Sequence, residues 1–514
     1  MNVKRAFFII GAIVLLSLAG CQAGNSNGNG GNNGTDTGNP IPTLSSMNPE
    51  GVVTGMPAFT LEVTGSSFVD GAWVVFNGTE LDTTYVSSTR LTARVSPGVT
   101  AMSTAGENGL STPQAETVTV RVRNPSPGGG DSGSLDFTIH ETFAFSAPEL
   151  LSTAGYDVED PQISVTADGM VDIVWTEIRG NNTNPVFHRH SSDGGTSWGP
   201  VRRVFTGNCS GPTVTRDGDG TLHCIFGHTT FTSILRHATS TDNGATWTTP
   251  VNVPNSQVGT TVYPVLLSGE GNTLHLFWRC NQAFRLRSDD AGATWGPRVQ
   301  ISRNPNRPSR LRAEIDNQGN LFVMWIQPEG QDPDDHRVWF SRSLDGGTNW
   351  LSQTILRRAD NEWLAHASLV AGTGQHLVAA WQWVDNYGMS TERNYVELRY
   401  ANTLGNTWST VKIIQPDGDF GMNAALSADS EGNINLFMAN GDISYPQGVF
   451  QLVYLRSTDN GANWTDAVTI RDLVAPTNAW TESAGDAAGH VYLAFMDNTA
   501  GYRRLYFTRS RIPD

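Results

Sequence analysis

Carboxylates, arginines and large aromatic rings recur at one end of a repeated strand pattern in this 514-residue chain. Asp160, Glu177, Glu329 and Asp385 supply acids, Arg279, Arg310 and Arg312 supply guanidinium forks, and Trp383 supplies a broad ring. Arg179, Tyr263, Arg303, Gln327, Trp363, His366, Tyr387, Asn423, Asp442, Trp480 and Asp497 fall at corresponding positions. Two carboxylates about 5 to 10 Å apart can break a glycosidic bond, one as acid and the other as base or nucleophile. Arginine forks grip carboxylates, and rings lie flat on sugar faces. The set suits recognition of a sugar or a carboxylate, although ordinary solvated loops carry the same residue types. No spacing of Cys and His fits a metal site, and no metal or cofactor is expected.

What must position these residues is a hairpin that recurs near Pro161, Pro212, Tyr263, Arg310, His366, Asn423 and Trp480. Two apolar runs joined by a Gly-rich turn, as in Pro161 to Trp175, lead to a third strand such as Val186 to His190 and a fourth such as Pro200 to Phe205. The last unit reaches a third strand at Arg504 to Thr508 and lacks a fourth. Phe143 to Leu151 is expected to fill that place and join the two ends of the chain in one sheet, leaving no free sheet edge.

Between the third and fourth strands lies a short turn ending in tryptophan. It reads Ser191-x-Asp193-x-Gly195-x-x-Trp198, and it returns as Ser240, Asp242, Gly244, Trp247; as Ser288, Asp290, Gly292, Trp295; as Ser343, Asp345, Gly347, Trp350; and as Ser457, Asp459, Gly461, Trp464. A sixth copy, Ala401 to Trp408, keeps the glycine and tryptophan without the acid. A carboxylate in such a turn accepts backbone N–H bonds, glycine supplies positive φ and the ring packs between sheets, so these aspartates are structural.

The pattern Ser-x-Asp-x-Gly-x-Thr-Trp resembles the Asp box of sialidases and related β-propellers. The resemblance covers Phe143 to Asp514 and implies an all-β propeller over residues 141–514, with seven blades by the hairpin count or six by the boxes. It also implies that the ligand face lies opposite the boxes. Sialidases use an arginine triad, a tyrosine nucleophile paired with a glutamate, and an aspartate acid/base; here Tyr387 is the tyrosine candidate. The early Phe-Arg-Ile-Pro-like motif is missing near Phe145-Ser-Ala-Pro148, and Arg511-Ile-Pro513 stands at the far end of the chain. The triad can be assembled only by choosing among Arg179, Arg279, Arg303, Arg310 and Arg312. These departures and the seventh repeat argue against orthodox sialidase activity.

At the front, Lys4 and Arg5 precede an apolar run from Ala6 to Leu18, and Leu18-Ala-Gly-Cys21 resembles a bacterial lipobox. The resemblance implies a signal peptide over residues 1–20 and a lipid on Cys21 holding the chain to a membrane. Gln22 after the cysteine favours the outer membrane or cell surface. The run is shorter than the roughly 20 residues a span needs. Residues 21–39, almost wholly Gly, Asn, Ser and Thr beyond Gly24, read as a tether.

Residues 40–140 alternate as a small antiparallel sandwich. Val63-Thr-Gly-Ser-Ser-Phe68, Val75-Phe-Asn-Gly78 and Leu91 to Pro97 resemble the IPT/TIG immunoglobulin-like family. Thr100 to Gln114 reads as a binding loop or a loose spacer loop.

The formal charge of −16 becomes −18 when cleavage removes Lys4 and Arg5, which excludes nucleic acid as an expected partner. Three cysteines remain besides Cys21: Cys224 falls inside a strand as a buried thiol, while Cys209 and Cys280 are placed where a disulfide can form. Three functions stand. A surface lipoprotein that binds a glycan or protein without catalysis leads, with Arg279, Arg310, Arg312 and Trp383 closest to the ligand. A glycoside hydrolase on the same scaffold and a structural envelope component follow.

Overall fold

Short apolar runs broken by Gly, Asn, Asp and Pro favour strands over helices, and every named element between Thr43 and Arg511 is a strand. The computed structural model describes residues 38–53, 59–96, 116–153, 155–180, 183–228, 234–257, 263–303, 308–328, 335–360, 362–385, 392–416, 420–429, 432–441, 450–473, 480–498 and 501–511, without 141–143. Among these no helix is long and apolar enough to cross a membrane. The signal, Cys21, most of the tether, the loop from Thr100 to Gln114, Glu329, Tyr387 and Asp442 lie outside the described residues.

Two sheets form between Thr43 and His140. Thr43–Asn48, Phe59–Ser66, Arg90–Val95 and Asp82–Ser87 make one; Gly51–Val53, Leu135–His140, Glu116–Asn124, Trp73–Phe76 and Thr79–Glu80 make the other. Their alternate residues meet in one core that includes Leu61, Val63, Leu91, Val74, Val120 and Phe137. Phe76 meets Phe137 edge-on at 4.9 Å, and no cysteine is needed to hold the layers.

From Asp157 onward the chain repeats one meander. Its first copy is Asp157–Val165, Val171–Ile178, Val186–Ser191 and Arg202–Phe205, each strand antiparallel to the next. The meander restarts at Cys209, Val265, Ser309, Trp363 and Phe420; a single parallel bridge, Asn394 with Phe420, links the fifth and sixth sheets. The last sheet has Thr481–Gly485, Val491–Asp497 and Arg504–Arg511. Its edge is taken by Ala144–Phe145 and Glu149–Leu150, with Ala144 opposite Arg511 and Glu149 opposite Phe507. That is the pairing expected for the missing fourth strand. The first strands lie side by side in chain order, and Thr481–Gly485 packs on Asp157–Val165.

The box turns lock each sheet to the one before it. Ser240 Oγ donates to Asp242 Oδ1 at 2.7 Å and accepts the Gly244 N–H at 2.9 Å, while Asp242 also accepts from Thr246 N and Oγ1. Bonds from Thr246 and Ser240 hold the Asp242 carboxyl at about 2, so it stays charged and occupied. In the sixth copy Thr403 stands where the acid would, and its Oγ1 accepts the Thr407 N–H at 3.0 Å.

The glycines meet the preceding sheet. A Cβ on Gly195, Gly244, Gly292, Gly347 or Gly405 would fall 2.3, 2.1, 2.4, 2.5 or 2.6 Å from Phe507, His188, His237, Arg285 or Phe340 respectively. Each of those five side chains stands on a third strand of the neighbouring sheet. The tryptophans follow: Trp198 meets Phe507, Trp247 meets His188 and Trp408 meets Phe340, all edge-on. Trp464 is buried, whereas the other box rings are half-buried and less enclosed than expected.

No disulfide joins Cys209 to Cys280: Cys209, Cys224 and Cys280 are free. Cys209 and Cys224 are buried in one core with Val214 and Phe226, and Cys280 lies half-buried beyond the second strand of the third sheet.

Candidate functional site

In five of the first strands a β-bulge interrupts the register at the same place, between Glu159 and Gln162, Ser210 and Thr213, Ser309 and Arg312, Ala365 and Ala367, and Met422 and Ala425. Each bulge holds one left-handed residue: Asp160 (φ 53°), Gly211 (53°), Arg310 (51°), His366 (40°) and Asn423 (57°). Left-handed backbone is strained for arginine and histidine, and bulges re-aim side chains beside functional sites. These residues begin first strands. They therefore stand at the sheet end opposite the box turns, which follow third strands.

Side chains from widely separated sheets meet there. Tyr263, before the third sheet, stacks on Trp480, before the last, with centroids 5.8 Å apart. Arg279 lies over Tyr263 at 5.4 Å and Arg310 over Trp480 at 5.3 Å. His366 meets the Trp480 ring edge-on at 5.8 Å. Rings and cations from sheets so far apart in sequence can touch only near a common axis.

Asp160 joins this group. Its Oδ2 accepts the Gly211 N–H at 2.9 Å. Burial pushes its carboxyl up to about 6 against that bond, with Glu159 adding and Arg503 and Arg310 opposing. Burial, helped by the nearby Asp160, also raises the Tyr263 hydroxyl. Burial and the neighbouring Arg310 and Arg312 lower His366 to about 3, so its ring is neutral near pH 7.

Two residues beyond the bulge, a second polar layer crosses the axis. Arg312 Nη2 pairs with Glu482 Oε1 at 3.1 Å, and Gln162 Nε2 donates to the same oxygen at 2.8 Å. Glu314 lies one layer deeper, where burial raises its carboxyl to about 8 against Arg312 and with Glu482. Sequence reasoning did not single out Gln162, Glu314 or Glu482. Their signal was positional, since Gln162, Glu314 and Glu482 stand one, four and two residues after the recurring hairpin starts at Pro161, Arg310 and Trp480.

The other sequence candidates go elsewhere. Glu177 is buried, accepting from Trp175 Nε1 at 3.2 Å and pairing with Arg179 at 2.7 Å. Trp383 stacks on Tyr395 at 4.8 Å with Arg357 above it at 5.5 Å, so it is not brought to the Tyr263–Trp480 group. Asp385 ends its strand opposite Arg393. Of the four residues expected closest to a ligand, Arg279 and Arg310 meet at the mouth and Arg312 lies below it. Among the described residues no three His, Cys, Asp or Glu side chains gather as a metal requires.

Successive four-stranded meanders, box turns on one side and an axial cluster on the other define the class: a sialidase-like β-propeller. The family model described as BNR repeat-like domain matches residues 163–372. Among solved structures, a polysaccharide lyase of family PL25, ulvan lyase, has a TM-score of 0.51 at 14% identity, covering 68% of this chain and 93% of that one. A protein of unknown function from Dyadobacter fermentans has a TM-score of 0.48 at 13% identity over 72% of this chain and 99% of that one. The Hadza microbial sialidase Hz136 has a TM-score of 0.42 at 14% identity over 83% and 77%. No curated protein matches the chain.

Proposed function

We propose that this chain is a surface lipoprotein whose propeller binds an acidic glycan at its axial mouth without cleaving it. One observation carries the reading: two arginines lie over two stacked rings, presenting guanidinium groups that a sugar bearing a carboxylate or sulfate would meet. Among the described residues the acids near the rings are already engaged: Asp160 accepts the Gly211 N–H, Glu159 pairs with Arg503, Glu482 with Arg312, and Glu177 with Arg179 and Trp175. An ulvan lyase of the same fold has been solved with -[GlcA(1-4)Rha3S]- bound; the likeness carries the fold, and an acidic saccharide is consistent with it.

The propeller has seven blades in this reading. The contact of Thr481–Gly485 with Asp157–Val165, and of Phe507 with the first box, supports closure through the N-terminal strands. The sandwich at residues 40–140 serves as an IPT/TIG spacer, and lipid on Cys21 holds the chain to the outer membrane.

The test is a glycan array read with the full chain in detergent. Acidic glycans should bind, and Arg279→Ala and Arg310→Ala should each lose at least tenfold in affinity. Undiminished binding in both removes the mouth as the site.

A second reading rests on Asp160. A carboxyl near pH 6 beside a tyrosine and two arginines has the acidity of a general acid or base, so turnover of a glycoside that vanishes in Asp160→Asn would establish an enzyme.

A further inference from the structure

A cavity of about 510 Å³ opens away from the axis, in the groove between the outer strand of the fourth sheet, Thr354–Asp360, and the third strand of the fifth, Arg393–Ala401. Arg357, Arg358 and Arg399 line it with Glu397, and Ile355 and Val411 add an apolar wall. Glu397 is already committed: its Oε2 accepts from Arg357 Nε at 2.8 Å and Trp381 Nε1 at 2.7 Å. Arg357 also reaches Glu362 at 3.3 Å.

Arg399 differs from its neighbours. Its Nε is shut off from solvent and has no hydrogen-bond partner among the described residues. An arginine whose fork is not spent on a neighbouring acid is the group that a planar or tetrahedral oxyanion matches. Arg357, Arg358 and Arg399 stand in the lining with Glu397, on a chain whose formal charge is −16. The volume falls in the range of small-ligand sites, and the apolar wall gives a sugar ring's C–H face a surface to rest on.

We propose that this groove is a second ligand site, taking a sulfate or carboxylate oxyanion carried on one or two sugar units, with Arg399 as its principal contact. The site is built from different strands and different arginines than the axial mouth, and it does not rest on the mouth's reading.

Isothermal titration of the full chain in detergent with a sulfated disaccharide, a uronate disaccharide, inorganic sulfate and a neutral disaccharide tests it. One or both charged disaccharides should bind, with affinity falling as salt rises, and the tighter of them identifies the oxyanion. Arg399→Gln should weaken that binding at least tenfold. Val411→Trp, which fills the cavity and leaves every arginine in place, should do the same. It carries the test if Arg399→Gln melts early. Titrated in the Arg310→Ala background, where the mouth's own binding is weakened, the charged disaccharide should still bind, and Arg399→Gln or Val411→Trp added to that background should remove it.

The proposal fails if no charged disaccharide binds Arg310→Ala. It also fails if the neutral disaccharide or inorganic sulfate binds as tightly as the charged sugars, or if a folded Arg399→Gln and Val411→Trp bind as the parent does.

Discussion

Replacing Asp160 by asparagine should stabilise the protein, and the gain should depend on pH in a fixed direction. The carboxyl titrates at about 6 instead of 3.8 because burial penalises its charge more than the Gly211 N–H and the nearby arginines reward it. About two units at roughly 1.4 kcal/mol each amount to about 3 kcal/mol. Between pH 3.8 and 6 the native state holds a proton that the unfolded chain has lost. Stability therefore falls as pH rises through that window and stays low above it.

Asparagine keeps an oxygen for Gly211, tolerates the left-handed φ of 53° and never ionises. Urea unfolding followed by tryptophan fluorescence and by circular dichroism should give matching midpoints for parent and Asp160→Asn at pH 4. At pH 7.5 the variant should be about 2 to 3 kcal/mol more stable. A variant equally stable or weaker at pH 7.5, or a difference that does not change with pH, would refute the account of Asp160 as a carboxylate held at a cost.

The box glycines give a second expectation: Gly195→Ala and Gly244→Ala combine positive φ with a Cβ 2.3 or 2.1 Å from Phe507 or His188. Each should cost about 2 to 4 kcal/mol in urea unfolding, and wild-type midpoints would mean the sheets do not dock through these turns. Burial raises the Cys209 thiol to about 12 and lifts Cys224 as well. In the lipidated native protein one thiol, Cys280, should therefore react with a thiol reagent at pH 8, and two or more fast thiols would contradict the burial. Burial raises the Glu482 carboxyl against its pairing with Arg312 and the Gln162 bond, so Glu482→Gln should hold or raise stability near pH 7 in denaturant titration, and a clear loss would mean that the pair outweighs its burial. Cys21→Ser should abolish incorporation of labelled fatty acid; normal labelling would end the lipoprotein reading.

The strands and their order were legible because both signals that mark them are local. Gly-rich turns break the chain at regular intervals, and a box such as Ser240 to Trp247 contains nearly all its own hydrogen-bond partners, so sequence distance and spatial distance agree. The placement of Phe143 to Leu151 was legible for another reason: a sheet lacking a strand must find one, and the last unit lacked one. Register also put Arg279 and Arg310 at the sheet end opposite the box turns, where the structure has them.

What the sequence could not show is what crosses the axis. The stacking of Tyr263 on Trp480 joins residues 217 positions apart, and the Arg312–Glu482 pair joins residues 170 apart. No local pattern encodes either. Trp383 shows the limit of register alone: it ends a second strand as Arg279 does, yet its ring turns to Tyr395 and Arg357. A bulge is not what separates them: Arg279 lies over Tyr263 although no register shift interrupts its strand pairings, and Trp383 turns away although the first strand of its own sheet is bulged at His366. Arg310 and His366, two residue types that gain nothing from left-handed backbone, sit in it at the same place as Asp160 and Asn423. Three of these side chains, Asp160, Arg310 and His366, meet around the Tyr263–Trp480 rings, and the proposed ligand site rests on that gathering.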